Sequence, residues 1–119
     1  MISHWLGWFS LGFCVVLALK FIARKSKASS LNLFFRRIHI PIGVMLLIIG
    51  TLHGLITIAK FPDRTVPIIT GIATVMLIFF IAATYMFRKR LKKKWLPFHR
   101  IGTVLSLLSI FIHLLFSLM

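Results

Sequence analysis

The chain is 119 residues long, 60% hydrophobic and 13% charged, and its fifteen Lys and Arg face one acidic residue, Asp63, for a net charge of +14. Mean hydropathy is +1.02. This composition cannot supply the mixed charged surface of a water-soluble domain, and its Leu, Ile, Val and Phe content excludes disorder. A disulfide scaffold is excluded because Cys14 is the single cysteine, and carboxylate-pair catalysis because Asp63 is the single acidic side chain.

Four apolar spans follow in chain order, at 5–23, 38–59, 66–87 and 101–119. Each is near the roughly 20 residues that cross about 30 Å of hydrocarbon as a helix. A barrel would need at least about 8 alternating strands. The expected fold is therefore all-α: a four-helix transmembrane bundle forming a single domain over 1–119, with helices at about 5–23, 38–59, 66–87 and 99–118. Lys20 lies near enough to the end of the first span to snorkel. That span has no basic segment before it and no small-residue cleavage site after it, so it reads as a helix rather than a signal peptide.

The connections differ in charge. The first, 24–37, carries Arg24, Lys25, Lys27, Arg36 and Arg37. The second, 60–65, carries Lys60 and Arg64 beside Asp63. The third, 88–100, carries Arg88, Lys89, Arg90, Lys92, Lys93, Lys94 and Arg100. Short loops rich in Lys and Arg stay in the cytoplasm, so both termini are expected outside. The Arg88–Lys94 run reads as a topology signal and an anchor for anionic membrane lipid; no nucleic acid partner is expected. Ser29 and Ser30 are placed to cap an amphipathic turn over 31–38 at the interface. The second helix then begins near Ile40 or is kinked at Pro41, while Pro97 suits the opening turn of the fourth. Trp5, Trp8 and Trp95 suit the membrane–water boundaries. The expected location is a cell membrane, crossed several times, of the bacterial inner or plasma type.

The chemistry-bearing residues are histidines. His39 and His53 lie in the second span and His99 and His113 in the fourth, each pair separated by the same interval and the two pairs offset by 60 positions. Fourteen steps of about 100° fall only about 40° short of four turns, so the two imidazoles of each helix share a face, about 21 Å apart along the axis. In the expected topology these two helices are parallel. His39 and His99 are then level near the cytoplasmic side, and His53 and His113 level near the outer side. Two opposed imidazoles at each level match the axial demand of a haem iron, whereas tetrahedral zinc wants four clustered ligands. No Cys-x-x-Cys-His occurs, which excludes covalent haem attachment. His4 falls outside the pattern and reads as interfacial. Met45, Met76 and Met86 lie in the spans, but paired histidines make an axial methionine unnecessary.

Small residues accompany the histidines: Gly43, Gly50 and Gly54 in the second span, and Gly102, Thr103, Ser106 and Ser109 in the fourth. They leave room for a flat macrocycle, or, as in Gly50-x-x-x-Gly54, for a close helix contact. Arg36, Arg37 and Arg100 adjoin the inner histidines and could pair with propionates; Lys60 and Arg64 could serve the outer level. Taken singly, each reads more readily as a membrane anchor alone.

The segments Arg37-Ile-His39-Ile-Pro-Ile-Gly43 through His53-Gly54 and Pro97-Phe-His99-Arg100-Ile-Gly102 through His113, with one helix between them, resemble the ferric-reductase-like transmembrane domain. That superfamily includes ferric reductases, NADPH oxidases and the membrane subunit of bacterial methionine-sulfoxide-reductase systems. The similarity covers roughly residues 36–119, and small four-helix cytochromes of bacterial flavin-linked electron transfer look similar too. The resemblance implies two b haems, an inner one on His39 and His99 and an outer one on His53 and His113. The activity it implies is transmembrane electron transfer from a cytoplasmic or quinol donor to an extracytoplasmic acceptor, as a possible membrane subunit of an oxidoreductase. Family members usually have about six helices, and many carry a flavin and nicotinamide domain. This chain has no Gly-x-Gly-x-x-Gly. Its donor and acceptor are then separate proteins, a quinone or a flavin, and a homodimer or partner subunit could cover the haems.

Two other readings stand beside this one. A small four-helix transporter would rely on a membrane-embedded carboxylate, yet Asp63 lies in a connection. A structural membrane subunit without cofactor would use its histidines only to bridge helices.

Overall fold

The computed structural model describes residues 1–27 and 29–119; Ala28, inside the expected first connection, lies outside the described residues. The elements are α1 (Ile2–Lys25), α2 (Ser29–Lys60), α3 (Thr65–Met86), α4 (Arg88–Leu91), a 3-10 turn (Lys92–Lys94) and α5 (Trp95–Leu118), with no strand among the described residues. Four helical stretches are long and apolar enough to cross a membrane: Ile2–Lys25, Ser29–Lys60, Thr65–Met86 and Arg88–Leu118. The all-α class and the four spans match the sequence expectation. The chain divides into two compact units, Met1–His53 and Gly54–Met119.

In the first unit, α1 is longer than the expected 5–23 at both ends. Arg24 and Lys25 occupy its last turn, where cations complement the exposed carbonyls. The helix stops at Ser26, whose extended backbone (φ −74°, ψ 145°) still lets its N–H donate to the Ala23 and Ile22 carbonyls.

The 32-residue α2 starts at Ser29, which overturns the first of the two alternatives for Pro41, a helix start near Ile40. The helix is continuous from Ser29, so the expected amphipathic turn over 31–38 is its own beginning. Pro41 lies inside it and cannot donate to the Arg37 carbonyl. Leu31, Leu33, Arg36 and Arg37 on one side and Met45, Leu46 and Leu47 on the other are strong helix formers, and they carry the helix through the missing bond. At 1.5 Å per residue α2 is about 48 Å long, more than the hydrocarbon thickness. The same helix-forming bias shortens the expected 24–37 connection to the few residues between α1 and α2.

In the second unit, a tight turn joins α2 to α3: the Arg64 N–H donates to Phe61 O at 3.1 Å and the Thr65 N–H to Asp63 O at 3.0 Å. Pro67 falls in the first turn of α3, where its missing N–H has no intrahelical partner to lose. The expected connection 88–100 is mostly helical, as α4, the 3-10 turn and the start of α5. Lys92 adopts φ 51°, a region that favours glycine. Pro97 lies in the first turn of α5, as expected.

Helices α3 and α5 pack on one another. Their contact is small and polar rather than bulky: Thr74, Thr84, Gly102 and Ser106 are the buried residues of the two helices. Large apolar chains such as Ile69 (59% exposed) and Val104 (66%) point away from it. Hydrocarbon solvates such chains as well as protein does, so helix pairing inside a bilayer depends on small residues and hydrogen bonds. The Thr74 hydroxyl donates to Thr70 O at 2.9 Å, and its oxygen lies 2.7 Å from Ser109 Oγ. Gly102 removes a Cβ that would collide: it would lie 3.0 Å from Ile81 Cγ1 and 3.1 Å from Phe80 Cδ1.

Candidate functional site

All four span histidines sit on uninterrupted helix, His39 and His53 in α2 and His99 and His113 in α5. The helical continuity assumed for each interval therefore holds, and each ring is half-buried.

In the first unit, His53 reaches across to the start of α1. Its Nδ1 lies 2.6 Å from the Ser3 carbonyl oxygen and 3.4 Å from Ser3 Oγ. A carbonyl only accepts, so Nδ1 carries the proton and the ring's lone pair is on Nε2. Gly7 makes the approach possible. A helical side chain leans toward the helix N-terminus, so residue 7 would cover the carbonyl of residue 3. A Cβ there would meet His53 Cε1 at 3.0 Å.

The second unit repeats this device one helix pair later. Gly71 of α3 faces the His113 ring, and a Cβ on it would lie 3.1 Å from Cε1. His113 Nδ1 lies 3.1 Å from Thr70 Oγ1, and Ser117 Oγ lies 3.5 Å from Nε2. Toward the other end of α5, His99 Nδ1 lies 3.0 Å from Thr84 Oγ1 and 3.2 Å from the Ile81 carbonyl oxygen. The carbonyl again assigns the proton to Nδ1. Trp95, one turn before His99, presents its ring edge-on with centroids 5.9 Å apart.

These positions bear on whether the residues fit a haem iron. An axial histidine must offer a deprotonated nitrogen, and in metal sites it donates its other N–H to a carbonyl or hydroxyl. His53 and His99 have that arrangement through carbonyl oxygens, so both fit. Arg36, Arg37 and Arg100 are exposed, as are Lys60 and Arg64, a state compatible with propionate pairing or with anchoring. A Cβ added at Gly43 or Gly54 would meet nothing within 4 Å, while one on Gly50 would lie 3.9 Å from Ser10 Oγ. At Gly102, Phe80 and Ile81 fill the space beside the backbone, the close helix contact that was one of its two expected uses. His4 is exposed, and its Nε2 accepts the Trp8 indole N–H at 3.0 Å. Among the described residues no three His, Cys, Asp or Glu side chains group as a metal-ion site.

Sequence reasoning had passed over Ser3, Gly7, Thr70, Gly71 and Thr84. One signal was present: Gly7 and Gly71 each occur near the start of the span preceding a histidine-bearing span, offset by 64 positions where the histidines are offset by 60. No known protein family, curated protein or solved structure matches the chain in comparison.

Proposed function

We propose that this chain holds two b haems within the membrane, the inner between His39 and His99 and the outer between His53 and His113, and thereby conducts electrons across the bilayer. Held by these four histidines, such groups would supply reversible one-electron chemistry. The observation that carries the reading is the position of Nδ1 of His53 and of His99 beside a backbone carbonyl, which can only accept. Each directs Nδ1–H at a carbonyl of the neighbouring helix, 2.6 Å and 3.2 Å away, and so holds its lone pair on Nε2. A histidine that merely bridged helices could use either nitrogen; a ligand needs this division of labour.

The remaining residues have roles in keeping with this. Arg36, Arg37 and Arg100 are placed one to three residues from the inner histidines and would pair with propionates. The basic residues from Arg88 to Lys94 would hold their connection in the cytoplasm, with both termini outside. The donor would be a cytoplasmic protein or a membrane quinol, and the acceptor would lie on the outer side. An inside-negative potential favours outward movement of an electron by about 2.3 kcal/mol per 100 mV for full transit.

The test is a pyridine haemochrome assay on the protein expressed with haem supplied, together with His53→Leu and His39→Leu. Two b haems per chain in the parent, with one lost in each variant, are expected. Absence of any reduced-minus-oxidised haem signal in the parent would refute the proposal.

A further inference from the structure

The hydroxyls of Thr70 and Thr84 are not assigned by the reading above, and their own hydrogen bonds fix what they can do. Thr70 Oγ1 donates back along its helix, to Val66 O at 3.0 Å and Pro67 O at 3.1 Å. Thr84 Oγ1 donates to Ile81 O at 2.6 Å. This back-bonding is common for threonine in helices. A hydroxyl has one proton, and these carbonyls, which can only accept, compete for it with the facing imidazole. With that proton on a carbonyl, each oxygen presents only lone pairs to the facing imidazole, at 3.1 Å for His113 and 3.0 Å for His99.

Comparison of the two units sharpens the point. In the first unit the Ser3 carbonyl, uncovered by Gly7, accepts His53 Nδ1–H directly. Pro67 and Gly71 stand 64 positions after Ser3 and Gly7. The Pro67 carbonyl does not receive the imidazole itself; it receives the Thr70 hydroxyl, which lies next to His113. Thr70 thus interposes one hydroxyl between a glycine-uncovered carbonyl and the ring without reversing the polarity. At the other end of α3, Thr84 stands in the same relation to Ile81 and His99.

We infer that Thr70 and Thr84 are positioning residues that lock His113 and His99 in the Nδ1–H tautomer, by committing their own protons to α3 carbonyls, and so present each Nε2 lone pair as a ligand. The purpose of the lock rests on the bis-histidine reading; its existence does not. His99 Nδ1 also lies 3.2 Å from the Ile81 carbonyl, so Thr84 shares its lock with a backbone acceptor.

The experiment uses the full chain labelled with ¹⁵N-histidine, free of cofactor, in detergent micelles above the imidazole titration range. Long-range ¹H–¹⁵N spectra distinguish the tautomers, and single His→Gln variants assign the rings. His113 and His99 in the parent are expected as single Nδ1–H forms. Thr70→Val should abolish the single form at His113 and leave His99 and His53 as they were. Thr84→Val should have a smaller effect on His99, and Thr70→Ser and Thr84→Ser should restore the parent spectra. A proton on Nε2 of His113 in the parent, which needs no variant to fold, overturns the inference, as does an unchanged His113 in Thr70→Val. Haemin titration of the same samples separates the two proposals. Locked tautomers without haem uptake would end the haem reading and leave the lock standing; haem uptake with an unlocked His113 would do the reverse.

Discussion

Replacing Gly102 by alanine distinguishes a glycine that admits a helix from one that admits a cofactor. The new Cβ would lie 3.0 Å from Ile81 Cγ1 and 3.1 and 3.2 Å from two atoms of the Phe80 ring. Ordinary carbon contacts are about 3.5–4.0 Å, so α3 and α5 must separate by several tenths of an ångström or strain both side chains. Overpacking of this kind costs about 1–3 kcal/mol. Alanine also regains the helix propensity that glycine forfeits, about 1 kcal/mol. Gly12 in α1 is the control, since a Cβ there meets nothing within 4 Å. The propensity gain is common to both variants, so their difference isolates the collision. Gly12→Ala should stabilise the protein by up to about 1 kcal/mol. Gly102→Ala should fall below it by about 1–3 kcal/mol. The assay is unfolding of the cofactor-free chain in mixed detergent micelles, followed by helical circular dichroism. Equal stability changes in the two variants would refute the packing argument. Equal changes joined to reduced haem uptake by Gly102→Ala alone would return that glycine to the cofactor role first expected of it.

Two further predictions follow from the contacts beside the histidines. Thr74→Val and Ser109→Ala, alone and together, should reveal a coupling of about 0.6–1.7 kcal/mol, the range for hydrogen bonds between membrane helices; a double-mutant cycle on unfolding free energy measures it, and zero coupling would mean that the 2.7 Å contact contributes nothing. Gly7→Ala and Gly71→Ala should each disturb only the histidine they face, because their new Cβ atoms would lie 3.0 and 3.1 Å from Cε1 of His53 and His113. On the two-haem proposal, the expected result is selective loss of the outer haem with the inner retained, read from haem content per chain; loss of both, or of neither, would contradict it.

The elements that sequence reasoning located well were those decided by hydrophobic length. The four spans and the helical continuity from His39 to His53 and from His99 to His113 follow from apolar runs that leave a membrane-embedded backbone no alternative to helix. Boundaries were set too short because Lys and Arg were read as loop residues, although their side chains are good helix formers; α1 through Lys25 and the early start of α2 at Ser29 are the result. Pro41 was weighed as a helix start, and the helix formers on either side of it outweighed one missing hydrogen bond. The histidines stood out by interval alone. Their partners did not, because a backbone carbonyl such as that of Ser3 has no side-chain signature, and Thr70 and Thr84 look like any threonine in an apolar run until the facing helix is in place.

The use of α3 hydroxyls by α5 has a consequence for how the chain enters its membrane. An isolated α5 would carry two imidazoles and several hydroxyls into hydrocarbon, where polar groups without partners are costly. An isolated α3 would spend its threonine protons internally and show bare oxygen lone pairs to lipid. Together the two cancel most of each other's polarity. Insertion should therefore proceed as a hairpin, with α3 held at the translocation machinery until α5 emerges, rather than one helix at a time.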